Sequence, residues 1–176
     1  PGDVSESAPL NEGGVNYEAP VRAGQKTGWF YDQRDNRRRF ERYSPGSVLD
    51  VFCYTGAWGL SAAVRGARAA FVDSSASALA AVEGNAARLG VAAETHRGSA
   101  FEILKALRAE GRRFDAVVVD PPAFIKRRKD HRKGLTSYQP INQLALTLLE
   151  RECLLVSCSC SHHSGVGERM TAVESA

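Results

Sequence analysis

A chain of 176 residues, 43% of them apolar and 24% charged, has the material for one buried core in a single ordinary domain. No apolar run approaches the roughly 18 residues that suggest a membrane span, and the polar start from Pro1 to Asn11 lacks the basic end and apolar centre of a signal peptide. A membrane-embedded protein is thereby excluded and a soluble one expected, while the formal charge of +3 excludes a bulk polycation. With no initiating Met, the sequence reads as an excerpt of a longer chain. Its basic residues nevertheless gather at 34–42 and 126–133.

Of the four cysteines, Cys153, Cys158 and Cys160 crowd one late segment, with Cys53 far away. A disulfide framework would spread them, so reduced thiols in a cytoplasm are expected. His162 and His163 follow closely, but the spacings match none of the paired knuckles of zinc sites, and no metal is expected.

In chain order, residues 1–11 are expected to be a flexible lead-in. Residues 16–21 and 29–31 resemble two short strands around a turn at 24–28, followed by a charged helix from about 32 to 43. Residues 12–46 are thus an appendage, a hairpin and a helix, to the remainder of the chain. From residue 47 to 176 apolar β-rich runs alternate with helical patterns, which predicts an α/β fold with a doubly wound, mostly parallel sheet. Strands are expected at 47–52, 68–72, 94–97, 114–119 and 153–158. Helices are expected at 75–89, on Leu79, Val82, Ala86 and Leu89; at 101–107, on Phe101, Leu104 and Leu107; and at 137–149, on Ile141, Leu144, Ala145, Leu148 and Leu149.

The first of these strands runs into Cys53-Tyr54-Thr55-Gly56-Ala57-Trp58-Gly59, a turn of small residues that opens a helix. In a doubly wound sheet the ligand crevice lies at such strand ends, and glycines admit a ligand close to the backbone, although strand, turn and helix also serve plain packing. The second strand ends in Asp73, about 20 residues on, where an acid accepts hydrogen bonds from a ribose diol. Asp73 is equally suited to cap the helix that begins near Ser75. The fourth strand ends in Asp120-Pro121-Pro122-Ala123-Phe124. Its prolines stiffen the corner and remove donors, which suits a planar substrate or simply ends a strand. Lys126, Arg127, Arg128, Lys129, Arg132 and Lys133 come next, broken only by Asp130. They are read as phosphate contacts or as a solvated loop. The fifth strand leads into Cys158-Ser159-Cys160, where Cys160, beyond the sheet, is the better-placed reactive thiol, while Cys53 and Cys153 are assigned to packing.

These segments together resemble bacterial large-subunit ribosomal RNA cytosine-5 methyltransferases, a class I family dependent on S-adenosylmethionine (SAM). The resemblance runs from about Glu12 to His163. Its most distinctive piece is Gly24-Gln25-Lys26-Thr27-Gly28-Trp29-Phe30-Tyr31-Asp32-Gln33-Arg34-Asp35-Asn36-Arg37, similar to the family's signature hairpin and first helix. The resemblance implies a Rossmann-like strand order 3-2-1-4-5 and SAM as cofactor. Gln25, Lys26, Thr27, Gly28, Phe30, Asp50, Tyr54, Thr55, Gly56, Asp73, Ser99 and Asp120 would hold the cofactor. Ser99 stands where the family usually has an acid, and Arg151-Glu152-Cys153 stands where it has a Pro-Gly-Gly turn. The antiparallel strand pair that normally completes the fold is not recognised before Ala176, and the family's small N-terminal RNA-binding domain is not recognised either.

The same resemblance implies that Cys160 adds to carbon 6 of cytosine so that carbon 5 can take the methyl group, with Asp120 at the cytosine's polar edge. Pro121, Pro122, Phe124, Lys126, Arg127 and Arg128 would bind substrate. Ribosomal RNA is the implied partner, in the cytoplasm, with a homodimer left open. Two other functions compete: an exocyclic-amine methyltransferase, whose pattern puts an aromatic directly after Pro-Pro where this chain has Ala123, and a non-catalytic remnant that binds SAM or RNA.

Overall fold

The computed structural model describes residues 5–22, 28–122 and 131–159. It opens with an antiparallel hairpin, β1 (Ser7–Glu12) and β2 (Val15–Pro20), in which Glu12 pairs with Val15. Only Gly13 and Gly14 separate the strands, both at positive φ (61° and 81°), as a two-residue hairpin turn requires. This corrects two expectations. Residues Ser7 to Asn11 are not a lead-in but the first strand, and the partner of β2 is that strand, not the segment 29–31. The physical signal was the Gly-Gly pair followed by the alternation of Val15, Tyr17 and Ala19, all of which are buried. Trp29 instead lies in a bend, and Tyr31–Gln33 is a 3₁₀ turn.

The charged helix expected at 32–43 is shorter. α1 (Arg34–Phe40) runs between that turn and a second 3₁₀ turn, Glu41–Tyr43, which ends on Ser44 in the left-handed region (φ 44°). Arg37 is its buried cation. It is held by Glu12 (Nε to Oε1, 2.6 Å), donates to the Phe30 carbonyl, and stacks over Trp29. The Trp29 indole also donates to Glu12, so hairpin, bend and helix share one bracing carboxylate.

Five parallel strands come next: β3 (Ser47–Val51), β4 (Arg68–Asp73), β5 (Glu94–Arg97), β6 (Phe114–Val119) and β7 (Leu149–Ser157). They are ordered β5-β4-β3-β6-β7, the expected 3-2-1-4-5. The connecting helices are α2 (Ala57–Ala63), α3 (Ala76–Leu89), α4 (Ala100–Ala109) and α5 (His131–Leu146). Leu49 and Val51 of β3 pack with Leu104, Leu107 and Ile141 on one face of the sheet. Val48 packs with Phe40, Trp58 and Ala62 on the other. The sheet is therefore sandwiched, with α4 and α5 on one side and α1, α2 and the hairpin on the other. Each fully buried Val or Leu is worth about 1.5–3 kcal/mol.

The last helix and strand both differ from expectation at the end that joins them. Leu148 and Leu149 continue the helical period in sequence, but Leu149 pairs with Phe114 and belongs to β7, which begins four residues earlier than Cys153. Pairing across the sheet overrides local periodicity there. Among the described residues β7 is an edge of the sheet, and no helix is long and apolar enough to cross a membrane.

Helix α2 is buried at every position, and its Gly59 lets it approach β4 closely. A Cβ on Gly59 would collide with the Phe71 ring. Gly59→Ala is expected to lower the free energy of unfolding by about 1–3 kcal/mol, read as a lower midpoint in urea denaturation.

Candidate active site at the strand tips

The chain crosses from β5 back past β3 to β6, so the crevice between β3's two neighbours opens at their carboxyl ends. Backbone bonds continue each pairing there. Phe52 and Cys53 N–H donate to the Val72 carbonyl, Gly98 to Asp73, Asp120 to Val51 and Cys158 to Val119. Asp73, Gly98, Asp120 and Cys158 thus lie along one rim.

The loop after β3 is tightly coiled. Phe52 and Tyr54 hold left-handed φ values of 62° and 50° without being glycine, each costing of order 1–3 kcal/mol, a strain that collects at functional sites. The surroundings maintain it: Tyr54 N–H donates to Asp73 Oδ2 at 3.0 Å and Gly56 N–H to the Cys53 carbonyl at 2.8 Å. Gly56 (φ 77°) opens α2, and a Cβ there would press on Val82 and Phe71. Thr55 is buried beside it. The Phe30 ring meets Tyr54 edge-on at 5.5 Å, which brings the segment before α1 onto this loop. Gly28 is buried with φ 83°, and a side chain there would strike the Pro20 carbonyl.

Three carboxylates converge. Asp50 is fully buried; its Oδ2 accepts from Gly59 N–H at 2.9 Å, and its Oδ1 has no hydrogen-bond partner. Burial pushes its pKa up to about 8, partly offset by the Gly59 N–H and reinforced by the charges of Asp120 and Asp73. Asp73 accepts from Tyr54 N–H and, at 2.9 Å, from Ser75 N–H. It is not the cap of α3, since Ser75 occupies that position and its Oγ accepts from Ala78 N–H. Asp120 accepts from the Trp58 indole at 3.3 Å, a contact that sequence reasoning missed because Trp58 and Asp120 are remote along the chain.

Because Asp50 titrates near 3.8 in an open chain and near 8 when folded, the fold takes up a proton between those values. Its share of stability is complete below about pH 4 and declines as the pH rises towards 8. Asp50→Asn, which keeps an oxygen for Gly59 N–H, is expected to flatten that decline in urea denaturation series at pH 5, 6, 7 and 8.

Other sequence candidates are spread more widely. Pro121 is buried and Pro122 exposed. Ser99 is exposed at the start of α4, and its side chain does not cap that helix. Cys53 is buried, and burial, reinforced by Asp50 and Asp73, pushes its thiol pKa far up, so it stays protonated. Cys158 is buried against Phe40 and Trp58, its Sγ 4.0 Å from Gln33 Oε1; Gln33 is a second residue that the sequence did not single out. Gln25, Lys26, Thr27, Phe124, Lys126, Arg127, Arg128 and Cys160, like His162 and His163, lie outside the described residues. Among the described residues no group of three His, Cys, Asp or Glu is placed to hold a metal.

Residues 37–161 match the model of the family described as conserved hypothetical protein 95. The chain belongs to this family. The match takes in Asp50, Tyr54 to Gly56, Asp73, Ser99, Asp120 and Cys160, and leaves out the hairpin. This family member is similar to the ribosomal RNA large subunit methyltransferase of Deinococcus radiodurans, 39% identical over 178 residues, with 98% of this chain and 44% of the relative covered. It is also similar to ribosomal RNA large subunit methyltransferase I of Shewanella denitrificans, 39% identical over 157 residues, with 86% and 40% covered. The chain therefore spans less than half the length of these relatives. A SAM-dependent methyltransferase from Agrobacterium tumefaciens superposes with a TM-score of 0.83 at 23% identity, covering 98% of this chain and 58% of the other. The fold is that of the class I Rossmann-like methyltransferases.

Proposed function

We propose that the chain is the cofactor-binding, catalytic part of a SAM-dependent methyltransferase of large-subunit ribosomal RNA, and that it methylates carbon 5 of a cytosine through a bond to Cys160. The observation that carries this reading is the meeting of Asp50, Asp73 and Asp120 at adjacent strand tips, with Asp50 Oδ1 buried and unpartnered. Burial, reinforced by repulsion from Asp120 and Asp73, favours a proton on Asp50, and a cation beside the charged pair at the rim relieves that repulsion. SAM fits that need, because its sulfonium and ammonium are positive and its ribose offers two hydroxyl donors, and when bound it supplies an electrophilic methyl group.

Asp73, whose two oxygens already orient Tyr54 and Ser75 backbone, retains lone pairs for the ribose diol. Phe30 and Tyr54 form an aromatic wall beside it. Asp120, steadied by Trp58, would contact the amine edge of the base, and Gln25, Lys26, Thr27 and Gly28 would bind the cofactor. Pro121, Pro122 and Phe124 hold the cytosine, and Lys126, Arg127 and Arg128 meet the RNA backbone.

Carbon 5 of cytosine is a weak nucleophile while the ring stays conjugated. Attack by the Cys160 thiolate would form a sulfur bond to carbon 6 and leave the 5,6 π pair on carbon 5, which would bond the methyl carbon as the methyl–sulfonium bond breaks and its electron pair stays on the departing sulfur. A base then removes the proton from carbon 5, its bonding pair reforms the double bond, and the thiolate leaves with the sulfur bond's electrons. The similarity to ribosomal RNA large subunit methyltransferases supports the substrate class, and a cytoplasmic location is the one that suits such a substrate.

Incubation of the chain with SAM labelled in its methyl group and large-subunit RNA tests the reading. Digestion to nucleosides is expected to give labelled 5-methylcytidine. Label in an exocyclic amine instead would overturn the carbon-5 chemistry, and SAM binding without any transfer would overturn the enzyme.

A further inference from the structure

Four of the described arginines are tied to carboxylates: Arg37 to Glu12, Arg65 to Glu41, Arg88 to Glu18 and Arg112 to Glu94. Arg38, Arg39 and Arg42 differ. They are exposed and their side chains make no hydrogen bond or ion pair among the described residues, and the acid beside them in sequence, Glu41, is already held by Arg65 at 2.8 Å. Large aromatic rings flank them, Tyr43 at 66% and Tyr31 at 56% exposure.

The support beneath these groups is firm. The inner face of α1 buries Arg37 and Phe40, the latter edge-on to Trp58 at 5.7 Å. The helix also starts at the rim of the site, since Phe30 meets Tyr54 and Gln33 meets Cys158 just before it. Arg38, Arg39 and Arg42 thus stand in solvent on a firmly seated helix and turn, with an exposed aromatic residue at either end of the segment.

We propose that the solvent side of α1 and its two flanking 3₁₀ turns, made by Arg38 and Arg39 of the helix with Tyr31, Arg42 and Tyr43 of the turns, docks a single-stranded stretch of the RNA substrate next to the target nucleotide. It rests on the reading of the substrate as RNA. Guanidinium groups without carboxylates suit phosphates, and exposed rings beside them suit unstacked bases. An acidic protein segment would use the charges but leave the two rings idle, which favours RNA.

The test titrates a labelled single-stranded RNA oligonucleotide with the wild-type chain and with a variant carrying Arg38→Ala, Arg39→Ala and Arg42→Ala, over a range of salt. SAM titration calorimetry on both proteins controls for folding. The variant is expected to bind RNA roughly a hundred-fold more weakly at about 0.1 M salt, with the salt slope reduced by about 2, since each single-strand phosphate that an arginine neutralises adds near 0.7 to it. Its SAM affinity is expected to be unchanged. Tyr43→Ala is expected to weaken binding about ten-fold without changing the slope.

Equal RNA binding by wild type and both variants would overturn the surface and leave the RNA-substrate reading standing. If the wild-type chain fails to bind RNA at all, that reading falls and the surface with it. Equal affinity for polyglutamate, abolished in the triple variant, would overturn RNA docking in favour of an acidic protein partner.

Discussion

Replacing Cys160 by alanine is expected to abolish covalent capture of the chain on RNA containing 5-fluorocytosine and to cut methyl transfer to cytosine by roughly a thousand-fold or more, the scale seen when a nucleophile is removed. Fluorine at carbon 5 cannot leave as a proton does, so the sulfur bond to carbon 6 persists after methylation and is read as a shifted band on a denaturing gel. SAM affinity should not change, because in the proposed mechanism the thiol acts on the base. Cys158→Ala is the internal control. Its sulfur is packed against Phe40 and Trp58, so it should lose some stability, as a small cavity does, while capture persists. Capture that survives in Cys160→Ala would remove the covalent mechanism.

The second large effect is expected at Asp73. Asp73→Ala should raise the dissociation constant for SAM about a hundred-fold in titration calorimetry, since charge-assisted hydrogen bonds are worth about 1.5–3 kcal/mol each. Part of that loss would come from the loop, because Tyr54 and Ser75 N–H groups lose their acceptor. Asp73→Asn separates the two contributions. It keeps a neutral acceptor for one of those N–H groups but removes the charge that favours a ribose diol, so SAM affinity should still fall about ten-fold while thermal stability stays near wild type. Wild-type affinity in Asp73→Asn would mean that the carboxylate only braces the loop.

Much of the candidate site is legible in the sequence because it sits at strand ends, and strand ends are marked locally. The run 114–119 stops at Asp120-Pro121-Pro122, and the run 68–72 stops beside Asp73, two residues before the capping Ser75. What could not be read was which remote group each of these acids meets. Trp58 reaches Asp120 across 62 positions, and Gln33 reaches Cys158 across 125; no periodicity encodes such a pairing. The hairpin was misplaced for a related reason. Pro9, Asn11 and Glu12 look like loop residues by composition, and only their pairing with β2, together with the Glu12 contacts to Trp29 and Arg37, makes that stretch a strand.

From its sequence alone the chain determined an α/β fold, the alternation of strands with helices, and acids at the ends of the strands, because periodic burial and turn chemistry act over a few neighbouring residues. The tertiary structure alone decided that Asp50, Asp73 and Asp120 share one field, that Arg37 is buried while Arg38, Arg39 and Arg42 stay in solvent, and that Phe30 lies on Tyr54. Those outcomes depend on distances between segments far apart in the chain, and Coulomb energy and desolvation respond to such distances and not to residue order.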